Sequence, residues 1–122
     1  MVTDEKTKLK ESIHALEHAL TFLKQAEQDP FYLSGIIKNF EVCLEYAWKY
    51  LGARVADEGV EANSPKEIIK HAGRLDLIDD VKLWLDFMKT RNLAVHDYLG
   101  VKDPNLITII RSFFVEAKKI VP

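Results

Sequence analysis

The segment Arg91-Asn92-Leu93-Ala94-Val95-His96-Asp97-Tyr98 brings together the side chains best suited to chemistry. On a helix advancing about 100° per residue, Trp84, Met88 and Val95 define an apolar seam, with Arg91 and Tyr98 on one flank and Asn92 and His96 on the other. Asn92 and His96 stand one turn apart, so the amide can orient the imidazole. This set suits metal-free cleavage of an RNA phosphodiester, in which the neighbouring 2′-hydroxyl is the nucleophile. Histidine titrates near neutrality and can act as general base or acid, while the forked donors of Arg91 neutralise the phosphate. Asp97 is either an orienter or a helix-end carboxylate. Around an ideal helix Arg91 and His96 lie about 140° apart. They meet at one phosphate if the helix is distorted between them, or if a second copy packs along the seam. A purely structural reading stays open beside the catalytic one. In it Arg91 pairs with Glu41 or Glu45, and His96 closes a helix C-terminus, where an imidazolium is favourable.

Other constellations carry less. His14-Ala15-Leu16-Glu17-His18 reads as the H-x-x-E-H inversion of a zinc protease motif, but catalytic zinc needs a third protein ligand and a cleft. It is expected to be a polar helix flank, and no metal is expected. Glu11 and His14 form one Glu-x-x-His, where a di-iron bundle needs two, with two further glutamates. Glu41, Glu45 and Lys49 follow at one-turn intervals on an otherwise apolar helix, which is either a surface ladder or a carboxylate at the core edge seeking a cation. Arg91 is the expected partner. Cys43, the single cysteine, has no basic cluster beside it in sequence and reads as a small buried hydrophobe. No P-loop, nucleophile elbow or dinucleotide fingerprint is present, and no cofactor is expected.

These side chains must be held by helices. Leu9, Ile13, Leu16, Leu20 and Leu23 recur at steps of four and three over Asp4 to Gln28, the stripe of a long amphipathic helix. Asp29 and Pro30 interrupt it. Ile36, Ile37, Phe40, Cys43, Leu44, Ala47, Trp48 and Leu51 then share a broad face, with Gly52 the expected stop. Ala53 to Asn63 reads as an exposed loop. Ser64, Pro65 and Glu67 make a strong helix start for a short helix to about Arg74. After a connector over Leu75 to Asp79, Val81, Trp84, Leu85 and Met88 carry a helix into the Arg91 to Tyr98 segment, and Gly100 ends it. Asp103 and Pro104 repeat the cap-then-proline signal before a last helix facing Leu106, Ile109, Ile110, Phe113, Ala117 and Ile120 inward. With no strand-like alternation, the fold expected is all-α: an antiparallel, up-and-down four-helix bundle with an additional short helix.

The chain has 122 residues, enough for a single domain spanning 1–122 and too few for two ordinary ones. Against 19 Asp and Glu it sets 17 Lys and Arg, a net charge of -2 that argues against binding duplex DNA by bulk charge. The charged segment Met1 to Lys10 lacks an apolar signal core, and no run approaches the roughly 18 apolar residues of a membrane span. A cytoplasmic location without membrane contact is expected. Two Trp, six Phe and wide apolar faces suggest more surface than a thin bundle consumes, for which a two-fold dimer is the usual remedy.

The pattern as a whole resembles the HEPN domains, in the branch called nucleotidyltransferase substrate-binding proteins. Arg91 through Tyr98 matches that family's R-x4-H pattern in its R-x4-H-x-Tyr form, with a polar residue, Asn92, after the Arg. Asn39-Phe40-Glu41 with Glu45, Trp48, Lys49 and Leu51 is similar to its second helix, and Ser64-Pro65-Lys66-Glu67, Leu77-Ile78 and Trp84-Leu85 to its middle. The resemblance implies a HEPN-like bundle that dimerises with its R-x4-H segments at the interface and has a minimal nucleotidyltransferase as partner. In toxin–antitoxin members the HEPN protein is an RNase, and the transferase is the antitoxin, attaching nucleotide to the Tyr after the His. That residue here is Tyr98, expected to be regulatory, with Arg91, His96 and Asn92 as the catalytic set. The branch's older name implies instead a non-catalytic subunit that binds a nucleotide or another substrate and presents it to the transferase.

Overall fold

The computed structural model describes residues 2–97 and 105–122, with side chains described over 3–92 and 105–122. Among the described residues six helices follow one another: α1 (Val2–Leu20), α2 (Leu23–Gln28), α3 (Pro30–Asp57), α4 (Pro65–Arg74), α5 (Val81–Asp97) and α6 (Leu106–Ile120). There is no strand among the described residues.

The first helix ends earlier than its apolar spacing suggests. Thr21 and Phe22 donate backbone bonds to His18 and Ala19, three residues back, and the Thr21 hydroxyl also donates to the His18 carbonyl at 2.6 Å. A side chain that satisfies a backbone carbonyl in this way competes with the helix ladder. The chain turns, and α2 is a separate short segment. Asp29 then caps α3, its carboxylate accepting from Phe31 N at 3.0 Å, with Pro30 in the first turn.

Gly52 does not end the second long helix, which continues to Asp57. A Cβ at Gly52 would lie 3.1 Å from Ile68 Cδ1 of α4, so the glycine serves close packing of α4 on α3. The start of α4 is as expected: Ser64 Oγ accepts from Glu67 N at 3.2 Å, and Glu67 Oε2 accepts from Asn63 N at 2.8 Å. Its end is a Schellman turn. Leu77 N bonds to Ala72 O and Asp76 N to Gly73 O, with Asp76 in the left-handed region at φ 58°. Asp80 then caps α5, accepting from Leu83 N at 3.0 Å. The expected Gly100 stop and Asp103-Pro104 cap lie outside the described residues.

The long helices α1 and α3 pack along each other, α4 fits between α3 and α5, and α6 packs against α1, α3 and α5. At the centre Phe113 of α6 meets Phe40 of α3 at 5.4 Å and Phe87 and Trp84 of α5 at 5.4 and 5.8 Å, all edge to face. All four are buried, so they fix where α5 sits and which of its faces looks inward. Leu9, Ile13 and Leu16 carry the inner stripe of α1, as the spacing predicts, joined by Ala19.

The apolar excess expected from sequence is mostly consumed inside the chain. Among the described residues the exposed large apolar side chains are Phe31 and Val115, at 76% and 48% exposure. No helix among them is long and apolar enough to cross a membrane.

Candidate functional site

The inner stripe of α5 runs Trp84, Phe87, Arg91, at the three-then-four spacing of a helix face directed into the core. Arg91 therefore begins where the aromatic core ends. Its side chain is half-buried, and its Nε is out of contact with solvent without a hydrogen-bond partner. Asn92, the next residue round, is exposed.

The expected pairing of Arg91 with α3 is not made. Glu45 pairs instead with Lys49, one turn along the same helix, at 3.3 Å with both side chains about 42% exposed. Glu41 is half-buried on α3. Among the described residues no ion pair joins Arg91 to either carboxylate. The physical reason is register: Glu45 and Lys49 share the solvent edge of α3, whereas Arg91 continues a stripe of α5 directed at Phe113. A guanidinium without a carboxylate keeps its donors for an anion.

The backbone of α5 is α-helical without interruption from Val81 through Asp97, so Arg91 and His96 keep the roughly 140° separation of an ideal helix. No π-bulge or 3-10 stretch draws them together. The side chain of His96, and Tyr98 altogether, lie outside the described residues.

His14, Glu17 and His18 are exposed on α1, and the His18 ring packs edge-on against Phe22 at 5.2 Å. Among the described residues no three His, Cys, Asp or Glu side chains are grouped to hold a metal ion. Cys43 is buried, which pushes its thiol up to about 11, a hydrogen bond with Ser12 acting in the opposite direction. It is packed as an inert core residue.

Sequence reasoning missed a group of aromatics at the α1–α2–α3 elbow: Phe22, Phe31 and Tyr32. Their clustering around Asp29-Pro30, outside both apolar stripes, was the available signal.

The family model described as "nucleotidyltransferase substrate binding protein like" matches residues 5–121. The chain belongs to this family. Its fold is that of solved HEPN proteins. It superposes on the tri-AMPylated Shewanella oneidensis HEPN toxin, solved in complex with MNT antitoxin, with a TM-score of 0.81 at 15% identity, covering 98% of this chain and 92% of that one. A toxin–antitoxin structure with AMP-PNP gives 0.82 at 15% identity, covering 98% and 94%. HI0074 from Haemophilus influenzae, described as revealing the fold of a substrate-binding domain of a nucleotidyltransferase, gives 0.76 at 19% identity, covering 95% and 96%. At these identities the likeness is one of fold. No curated protein sequence matches the chain.

Proposed function

We propose that this protein is the HEPN partner of a minimal nucleotidyltransferase and the toxin-like, metal-independent RNase of the pair. The observation that carries the reading is Arg91: a half-buried guanidinium at the end of the core stripe, unpaired with any carboxylate among the described residues, on the helix that also bears Asn92 and His96. A structural ion pair was the principal alternative for this arginine; of its two candidate partners Glu45 pairs with Lys49, and Glu41 makes no ion pair with it among the described residues. Membership of the family, and a fold shared with a HEPN toxin solved with its antitoxin, support the assignment of partner.

In this proposal Arg91 binds and neutralises the scissile phosphate. His96 takes the proton from the 2′-hydroxyl, the 2′-oxygen bonds to phosphorus, and the bond from phosphorus to the 5′-oxygen breaks as that oxygen gains a proton. The products are a 2′,3′-cyclic phosphate and a 5′-hydroxyl. Asn92, one turn before His96, orients the imidazole. Because α5 is straight between Arg91 and His96, the two converge most simply across a two-fold seam, so the active species is a homodimer. Tyr98, two residues past His96, is the regulatory position. Nucleotide attached there places a bulky anion beside the site, where it competes with RNA phosphate. The protein acts in the cytoplasm.

The test is cleavage of single-stranded RNA by purified protein in excess chelator. Cleavage that His96→Ala abolishes while leaving the melting temperature within a degree or two supports the nuclease. Cleavage that survives His96→Ala, or none from wild-type protein freed of its transferase, overturns it in favour of a non-catalytic subunit that binds a nucleotide or another substrate.

A further inference from the structure

A cavity of about 750 Å³ opens where the C-terminal end of α1 and Phe22 just beyond it meet the first three turns of α3. Its walls are aromatic at one end: Phe22 and Tyr32 stack at 5.6 Å with planes 21° apart, and Phe31 stands edge-on to Tyr32 at 5.4 Å. Phe31 is 76% exposed, an unusual position for a large apolar ring among the described residues. The floor includes Gly35, in the interior of α3. A Cβ built on Gly35 meets nothing within 4 Å, so no packing inside the chain accounts for a residue that weakens a helix. At the other end stand the exposed Lys38, with no ion pair among the described residues, the half-buried carboxylate of Glu41 one turn on, and Asn39, whose Nδ2 donates to Gly35 O at 2.8 Å and whose Oδ1 is left to accept.

Size decides between kinds of occupant. A protein partner of ordinary stability covers about 800 Å² on each side. Beyond this groove the described surface exposes one further large apolar side chain, Val115, so no wide apolar interface surrounds it. The cavity volume instead falls in the range of about 300–1,000 Å³ typical of small-molecule sites, apolar with a few placed polar groups. Phe22 and Tyr32 cover each other, so the face open to a flat ring is that of the exposed Phe31, and a base gains stacking on it whatever its sequence context. Asn39 Oδ1 and the Glu41 carboxylate can take an exocyclic amino group at the ring edge, which turns the phosphate away from Glu41 towards the exposed Lys38 at the rim.

We propose that this groove binds a nucleobase bearing a phosphate, the ring stacking on Phe31 over Gly35 with the Phe22–Tyr32 pair at its edge, and the phosphate meeting Lys38. The inference is independent of the nuclease proposal, since it uses none of Arg91, Asn92, His96 or Tyr98, and binding is read separately from cleavage.

The experiment is calorimetric titration of the full chain with AMP, UMP, ribose 5-phosphate and a single-stranded RNA heptamer, repeated on Phe31→Ala and Gly35→Leu. Phe31 is on the surface, and a leucine at position 35 enters open space in a helix that favours it, so Phe31→Ala keeps the wild-type melting temperature and Gly35→Leu keeps or raises it. The expected result is AMP binding at least threefold tighter than UMP, which lacks the amino group, and at least tenfold weaker binding in Gly35→Leu. Binding of the heptamer without AMP, with the same loss in Gly35→Leu, assigns the base to an RNA strand. The proposal is overturned if neither binds, if ribose 5-phosphate binds as well as AMP, or if Gly35→Leu binds like wild type.

Discussion

Glycine to alanine at positions 35 and 73 is the same chemical change in two helices, and the structure predicts opposite signs for it. At Gly35 the added methyl meets nothing within 4 Å, so only backbone propensity acts. Alanine is favoured over glycine in a helix interior by about 0.8–1.0 kcal/mol, and Gly35→Ala should stabilise by that amount. At Gly73, in the last turn of α4, the methyl would collide with Val81 Cγ2 and stand 3.7 Å from Val81 Cβ. Val81 is β-branched with one strongly preferred rotamer in a helix, so it cannot swing aside, and α4 and α5 must separate. Overpacking of this kind costs about 1–3 kcal/mol. Set against a propensity gain of about 0.5 kcal/mol at a helix end, the net for Gly73→Ala is a loss of about 0.5–2.5 kcal/mol. Urea unfolding at 25 °C with unchanged m-values measures both. Adding Val81→Ala should offset part of the Gly73→Ala loss, because the two residues share one contact. A Gly73→Ala protein as stable as wild type, or a destabilised Gly35→Ala, would refute the packing described for these helices.

Three further outcomes follow from the same geometry. Ser64→Ala removes the acceptor for Glu67 N and should cost about 1 kcal/mol in denaturant unfolding, from the α4 cap alone. Arg91→Met keeps the stem against the core and removes a buried, unpartnered Nε, so stability in urea should hold or rise by up to about 1 kcal/mol; a loss above about 2 kcal/mol would mean that the guanidinium is a structural group after all. Burial raises the Cys43 thiol from 9.0 to about 11, so the folded state holds its proton where the unfolded state has lost it. The stability linked to this group is intact below pH 9.0 and disappears as pH rises through about 11. Wild type measured against Cys43→Ala should therefore lose about 2–3 kcal/mol across that interval, and a flat difference would contradict the burial.

Five helices were legible because each carries an apolar stripe, whereas α2, with no buried residue, was not; the start at Ser64-Pro65-Glu67 was legible because its chemistry is local, while Asp29-Pro30, read as an interruption, is also a cap. One of the errors has a tertiary cause and two lie in local backbone turns. Gly52 reads as a stop in one dimension, but Ile68 presses on it from another helix. The break after Leu20 is a tightened turn, with Thr21 N and Phe22 N bonding three residues back, which hydropathy does not register. The Schellman turn at Asp76 hides behind a residue that is not glycine. For the site, spacing placed Arg91, Asn92 and His96 on one helix, but it could not say whether a carboxylate from α3 would reach Arg91. Glu45 and Lys49, four residues apart, satisfy each other first.

The central claim is that Arg91 of one copy and His96 of another act on the same phosphate. It is tested most directly by purifying a mixed dimer of Arg91→Met and His96→Ala chains and assaying RNA cleavage in chelator. Each variant alone should be inactive. In the mixed dimer one seam site loses both residues while the other keeps both, so about half of the wild-type activity should return. A mixed dimer as inactive as its parents would contradict a site shared between copies.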